Sequence, residues 1–284
     1  MTYIWYMSDS ELRALISLLD DPDSSIYDEI KTKLISYGDG VIPHLESAWE
    51  NSFDHLSQNR IENIIHELQF TNIKTELLKW KENNSNDVIA GAIIIAKYQY
   101  ADLDEEKINT YIEQIKQDVW LELNDNLTAL EQIKVLNRMI FDVHGFYGST
   151  KNINSPQNSY INNVIDTKKG NPITLGIIYL AICQKLNIPV YGVDIPAHFI
   201  LAYAEKDREV LFYLNVFNKG TVFSKPDIDQ FLDQLKKERK EKYYQPCDNM
   251  DVIKRLLQHL IYTYDNMGYL DKKEELEELY NLLN

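Results

Sequence analysis

The stretch KGNPITLGIIYLAICQKLNIPV, Lys169 to Val190, decides the fold. Gly170-Asn171-Pro172 opens it. Asn171 is a capping residue, and Pro172 suits the first helical position, where a missing N–H costs nothing. Ile173, Ile177, Leu180, Ala181 and Leu186 then form a core-facing helical stripe, and Leu186-Asn187-Ile188-Pro189 turns the chain into a strand. Downstream, IPAHFILAY (Ile195 to Tyr203) puts His198 at the mouth of an apolar strand. A helix N-terminus lowers the pKa of a nearby thiol, so a helix whose start faces a strand histidine is a frame for an activated cysteine. In this chain the position for that cysteine holds proline.

Four strands are expected after the helix: VYGVDI, HFILAYAE, EVLFYLNVF and TVF. Short turns at Asp194-Ile195-Pro196 and Lys206-Asp207-Arg208 join the first three. Consecutive strands following a central helix predict an antiparallel sheet packed on that helix, an α+β arrangement. Before it, HGFYGSTKNINSPQNS (His144 to Ser159) has the Gly, Asn, Ser and Pro content of a surface loop, with a short helix at Tyr160 to Asp166 behind it.

The first part of the chain reads as all helical. Ser8-Asp9-Ser10-Glu11 offers capping groups ahead of Leu12, Leu15, Ile16 and Leu19. An Asp-Pro break follows, then Ile26, Ile30, Leu34 and Ile35, a Gly stop and VIPHLESAW. This order resembles a HEAT-type helix pair, and a weaker second unit is expected in RIENIIHELQF and IKTELLKWKEN. Asn83 to Asp87 marks a boundary, followed by helices at Val88 to Tyr98, Glu105 to Asp118 and Leu127 to Phe141. DVIKRLLQHLIYTYDNM and KKEELEELYNLL, split by Gly268-Tyr269, resemble a single TPR-like hairpin. The expected organisation is a HEAT-like region over 1–84, an α+β core over 85–245 and a helical hairpin over 246–284.

Composition narrows the function. The 284 residues carry a formal net charge of -15, with acidic side chains spread along the whole chain, and such a surface repels phosphate backbones. The basic run LKKERKEKYY mixes signs and reads as an exposed helix or loop. Cys183 and Cys247 imply no disulfide framework and suit a reducing compartment, and no signal peptide or membrane span is apparent. The chain is therefore read as cytoplasmic, with a protein partner, no nucleic acid and no membrane; its oligomeric state has no signature in the sequence. No HxxxH, HExxH or CxxC spacing is present, so neither a metal nor a cofactor is assigned.

Several positions taken together are similar to one family. They are His144-Gly145-Phe146, Gly148, Asn158-Ser159-Tyr160, Gly170, Pro172-Ile173, Tyr179, Gly192-Val193 and Pro196-x-His198-Phe199, over roughly Asp87 to Phe223. The pattern resembles the SirB-type bacterial transglutaminase-like family. That resemblance implies a papain-like core in which a Cys at a helix start, a His on a following strand and an Asp or Asn on the next strand cooperate. His198 matches the histidine and Asn215 the orienting residue, while Pro172 occupies the nucleophile position. His198 is expected to face the start of the helix, with Asn215 on the adjacent strand.

Cys183 does not replace the missing thiol. It lies eleven residues along the same helix, about 16 Å away at a rise of 1.5 Å per residue, and reads as a small buried hydrophobe. His144, Asn158, Asn171 and Tyr179 are further candidates for the cleft. For His198 the plain alternative is a core histidine with one hydrogen bond, and for His144 a residue that fixes a turn. These residues imply a catalytically silent transglutaminase-like core that acts as a protein-binding or regulatory module. Two other readings stand beside it: a hydrolase using His198 as base on a bound water, and a small-ligand sensor using the former cleft.

Overall fold

The structure, a computed structural model, describes residues 9–151, 155–205 and 209–284. Ser8, expected as a capping group, and the turn expected at Lys206-Asp207-Arg208 lie outside the described residues. The chain divides into two compact units, Met1–Thr75 and Glu76–Asn284.

In the first unit, helices α1 (Asp9–Ser17), α2 (Ser24–Ser36) and α3 (Ile42–Asn51) pack with the start of α4 (His55–Asn83). Asp23 caps α2 by accepting from the Ser25 N–H, and Pro43 lies in the first turn of α3. Leu12, Leu19, Leu34, Leu45, Ile61 and Ile64 close a core of their own. The two helices expected across Arg60 to Asn83 form one continuous helix. Thr71 and Asn72, between the two apolar runs, include neither glycine nor proline, so nothing interrupts the backbone ladder.

In the second unit, α5 (Val88–Lys97), α6 (Glu105–Glu122) and α7 (Ala129–Asn137) precede a stretch of π-helix at Arg138–Val143. Strand β1 (Tyr147–Gly148) pairs in parallel with β2 (Lys169–Gly170), and α8 (Ile161–Thr167) lies between them in sequence. Helix α9 (Pro172–Leu186) is buried from Ile173 to Cys183 without interruption, which makes it the central element. A helix that is apolar on all sides needs cover on all sides. One side is taken by the four-stranded antiparallel sheet β3 (Val190–Ile195), β4 (His198–Ala204), β5 (Val210–Asn215) and β6 (Thr221–Phe223). Gly176 permits the closest approach, since an added Cβ would lie 2.7 Å from the Phe199 ring. The architecture is mixed α+β, with an antiparallel sheet on a central helix, as the strand pattern implied.

Helix α10 (Lys225–Gln234) covers the other sheet face, and α11 (Asn249–Met267) and α12 (Leu270–Leu282) form the closing hairpin. Sequence reasoning missed α10. Its signal was Ser224, which completes a capping box with Asp227 around Pro226. No helix among the described residues is long and apolar enough to cross a membrane.

Candidate functional site

The first turn of α9 is closed. Asn171 is fully buried, and its Oδ1 accepts from the N–H groups of Ile173 and Thr174, each at 2.9 Å. Its Nδ2 donates to Ser159 Oγ at 2.9 Å, and Thr174 Oγ1 donates to the Asn158 carbonyl at 2.7 Å. Leu175 N–H donates to the Asn171 carbonyl. Pro172 has no N–H at all. The orphan donors that make a helix start an anion or oxyanion site are therefore consumed inside the turn. Asn158 and Asn171, both cleft candidates from the sequence, meet through the cap, where the Asn171 N–H and Thr174 Oγ1 donate to the Asn158 carbonyl.

His198 and Asn215 are also brought together. Ile195 pairs with His198 across a two-residue turn, and Leu201 with Leu214, so His198, Ile200, Ala202, Tyr213 and Asn215 share one sheet face. That face packs on Ile228 and Leu232 of α10, and the His198 ring centroid lies 6.0 Å from that of Phe231. Phe199 and Leu201, on the opposite face, meet α9 at Gly176. The expectation that His198 faces the start of α9 is thus corrected: the imidazole and α9 lie against opposite faces of the sheet. Burial lowers the pKa of His198, the positive charge of Arg255 lowers it further, and the hydrogen bond with the Asn215 side chain acts in the opposite sense. Asn215 also accepts from the Asn218 N–H at 3.2 Å, which fixes the turn after β5. Arg255 itself pairs with Asp194 at 3.2 Å.

The other two candidates stand apart from this pair. Tyr179 is fully buried, stacks on Phe141 and donates its hydroxyl to Asn137 Oδ1 at 3.0 Å; burial pushes its pKa far up. Asn137 Nδ2 in turn donates to the Gly220 carbonyl at 2.9 Å. His144 is held between Tyr111 and Asp118, at 3.1 Å from Tyr111 Oη and 3.0 Å from Asp118 Oδ2. Sequence reasoning missed Tyr111, Asp118, Asn137 and Arg255. Only the seven-residue spacing of Tyr111 and Asp118, which places both on one side of a helix, was visible in advance. Cys183 is buried, and its thiol pKa is raised by that burial. Among the described residues, no three or more His, Cys, Asp and Glu side chains gather as a metal site.

A family model described as "Transglutaminase-like superfamily" matches residues 106–258. A UPF0162 protein of Xylella fastidiosa is 24% identical over 199 residues, covering 65% of this chain and 67% of the relative. The UPF0162 protein YchA of Escherichia coli is 24% identical over 182 residues, covering 63% of this chain and 67% of the relative. Human F-box only protein 21 is 24% identical over 157 residues, covering 53% of this chain and 23% of that protein. No solved structure matches.

Proposed function

The chain belongs to the transglutaminase-like superfamily, and from that premise we propose that its cleft is catalytically silent and that the protein works as a protein-binding or regulatory module. One observation carries this reading: the start of α9 holds Pro172 in place of a nucleophile, and Asn171 consumes the N–H groups of Ile173 and Thr174. A thiol-dependent acyl transfer needs both a nucleophile and free oxyanion donors there, and neither is on offer. The family resemblance is to a whole domain. In human F-box only protein 21 the matching segment is under a quarter of the chain, which suits a domain used as a module. The helical regions at 1–84 and 246–284 would supply interaction faces. On the closing hairpin, Tyr262, Met267, Tyr269 and Leu270 are all at least half exposed. The two free cysteines, both poorly ionised, suit a cytoplasmic protein.

The His198–Asn215 hydrogen bond favours one second reading, a hydrolase in which His198 acts as base on water. One assay decides between them. The protein and its His198→Ala variant are incubated with glutaminyl peptides, amides and esters, with and without a primary amine acceptor. The expected result is no His198-dependent turnover of any donor. Multiple turnover that is lost in His198→Ala would replace the module reading with the hydrolase.

A further inference from the structure

A groove of about 600 Å³ runs beside α6 and α8, and its lining includes no residue of α9 and neither His198 nor Asn215. Its lining includes Lys107, Thr110, Tyr111, Gln114, Ile165 and Lys168. Behind Tyr111 stands the arrangement that a hydroxyl nucleophile requires. Tyr111 Oη is 3.1 Å from His144 Nδ1, and His144 Nε2 is 3.0 Å from Asp118 Oδ2. A carboxylate accepts and does not donate, so Asp118 fixes the tautomer with the proton on Nε2. Nδ1 is then the acceptor and the Tyr111 hydroxyl the donor. Nucleophile, base and orienting carboxylate stand in sequence, each in hydrogen-bond reach of the next.

The surroundings hold this geometry. The His144 side chain is only 8% exposed, and its ring meets that of Tyr111 edge to face. His144 N–H closes on the Met139 carbonyl at the end of the π-helix, which shifts the chain one residue out of α-helical phase and turns the imidazole toward α6. The Lys168 ammonium lies 3.7 Å from the Tyr111 ring centroid and 4.9 Å from that of Phe146. A cation over the ring stabilises negative charge that develops on the phenol oxygen. Burial keeps the imidazole neutral and raises the pKa of the Tyr111 hydroxyl, so the base acts during attack and no phenolate forms beforehand.

We propose that Tyr111, with His144 as general base and Asp118 orienting it, is a nucleophilic site that accepts an acyl group from an activated ester or thioester. The lining favours this class. Its charges are mixed: Asp104, Glu106 and Asp166 stand with Lys107 and Lys168. Lys107 is paired with Asp166 at 2.8 Å, and Lys168 lies over the Tyr111 ring, while Ile165 offers an apolar wall for an acyl chain. In the step, Tyr111 Oη bonds to the acyl carbon and the bond from that carbon to the leaving oxygen or sulfur breaks. The phenolic proton passes to His144 Nδ1 and on to the departing alkoxide or thiolate.

The test uses the intact protein with benzenesulfonyl fluoride, where the phenol oxygen attacks sulfur and fluoride leaves, and separately with phenyl acetate under acid quench. Peptide mass mapping gives a rate for each tyrosine. Tyr262 and Tyr269, both more than half exposed, are comparators within the same molecule. Tyr111 is expected to be sulfonylated about a hundredfold faster than either, in line with general-base assistance, and to carry the acetyl group from phenyl acetate. His144→Gln keeps a polar side chain but no base, and with Asp118→Asn it should bring the rate down to that of the comparators. Sulfonylation of Tyr111 no faster than Tyr262 and Tyr269 in the unaltered protein overturns the proposal, whatever the variants do. Sulfonylation without acetylation overturns the acyl assignment. None of these rates involves His198, so the outcome is independent of the one proposed for the α9 cleft.

Discussion

His198 and Asn215 share the sheet face that carries α10, near enough for the Asn215 side chain to raise the imidazole pKa, while α9 lies against the other face. The pair survives as a pair, detached from the position where a nucleophile would stand. Because burial and Arg255 outweigh that effect, the His198 titration should fall below the ordinary 6.5. Asn215→Ala removes the one opposing effect and should move it lower still. Histidine ring resonances followed by NMR against pH give both values, and an upward movement in Asn215→Ala would contradict this account of the pair.

Cys183 should be inert in the native protein. It is fully buried, its thiol pKa is pushed far up, and reaction requires the thiolate. Cys247 is half-buried and its thiol pKa is also raised by burial, so it should react slowly. An alkylating reagent near neutral pH, followed by mass mapping, should leave Cys183 unmodified until denaturant is added.

Much of this was legible in the sequence. Asn171-Pro172 marked the start of α9, and the apolar runs VYGVDI and HFILAYAE marked two strands. The facing of His198 was not legible. The turn expected at Asp194-Ile195-Pro196 lies instead at Pro196-Ala197, with Ala197 at φ +60°. In a strand, a slip of one residue exchanges the two faces, and only the observed pairing of Ile195 with His198 fixes the choice. The Tyr111–His144–Asp118 relay was hidden for a related reason. It depends on a π-helical turn that moves His144 out of the phase a helical reading assumes.

Asn137 ties three elements together, and its loss should be felt in stability. It accepts from the buried Tyr179 hydroxyl and donates to the Gly220 carbonyl. Asn137→Ala strands both partners and should cost about 1–3 kcal/mol in chemical denaturation. Gly220→Ala should cost at least about 2 kcal/mol, because Gly220 has φ +69° and an added Cβ would come within 2.0 Å of Asn137 Oδ1. A neutral result for Gly220→Ala would mean that this contact is not kept in solution.

His259 makes stability depend on acid. Burial, then the charge of Arg255, lowers its pKa from 6.5 to about 4. The unfolded chain then binds the proton more tightly than the folded one. The His259 contribution is full above 6.5 and is lost as the pH falls from there toward about 4. Asp194 and Asp251, whose carboxyl pKa values are raised by burial, act in the opposite direction and partly mask the effect. The comparison with His259→Gln isolates it: denaturation midpoints from pH 7 to pH 4 should fall less steeply in the variant. Parallel profiles would show that His259 titrates alike in the folded and unfolded states.

Restoring a nucleophile tests the closed turn directly. Pro172→Cys puts a thiol in the first turn of α9, and loss of proline there should cost little, since Asn171 keeps the cap. The new thiol should alkylate faster than Cys183, because Pro172 is half-buried and the helix dipole favours the thiolate. His198→Ala in the same background should leave that rate unchanged, because the imidazole lies on the α10 side of the sheet. Adding Asn171→Gly to Pro172→Cys frees the Ile173 and Thr174 N–H groups, and the thiol should then react faster still. Were His198→Ala to slow alkylation several-fold, the imidazole would have to reach the start of α9. The two-faced arrangement of His198 and α9 would then be wrong.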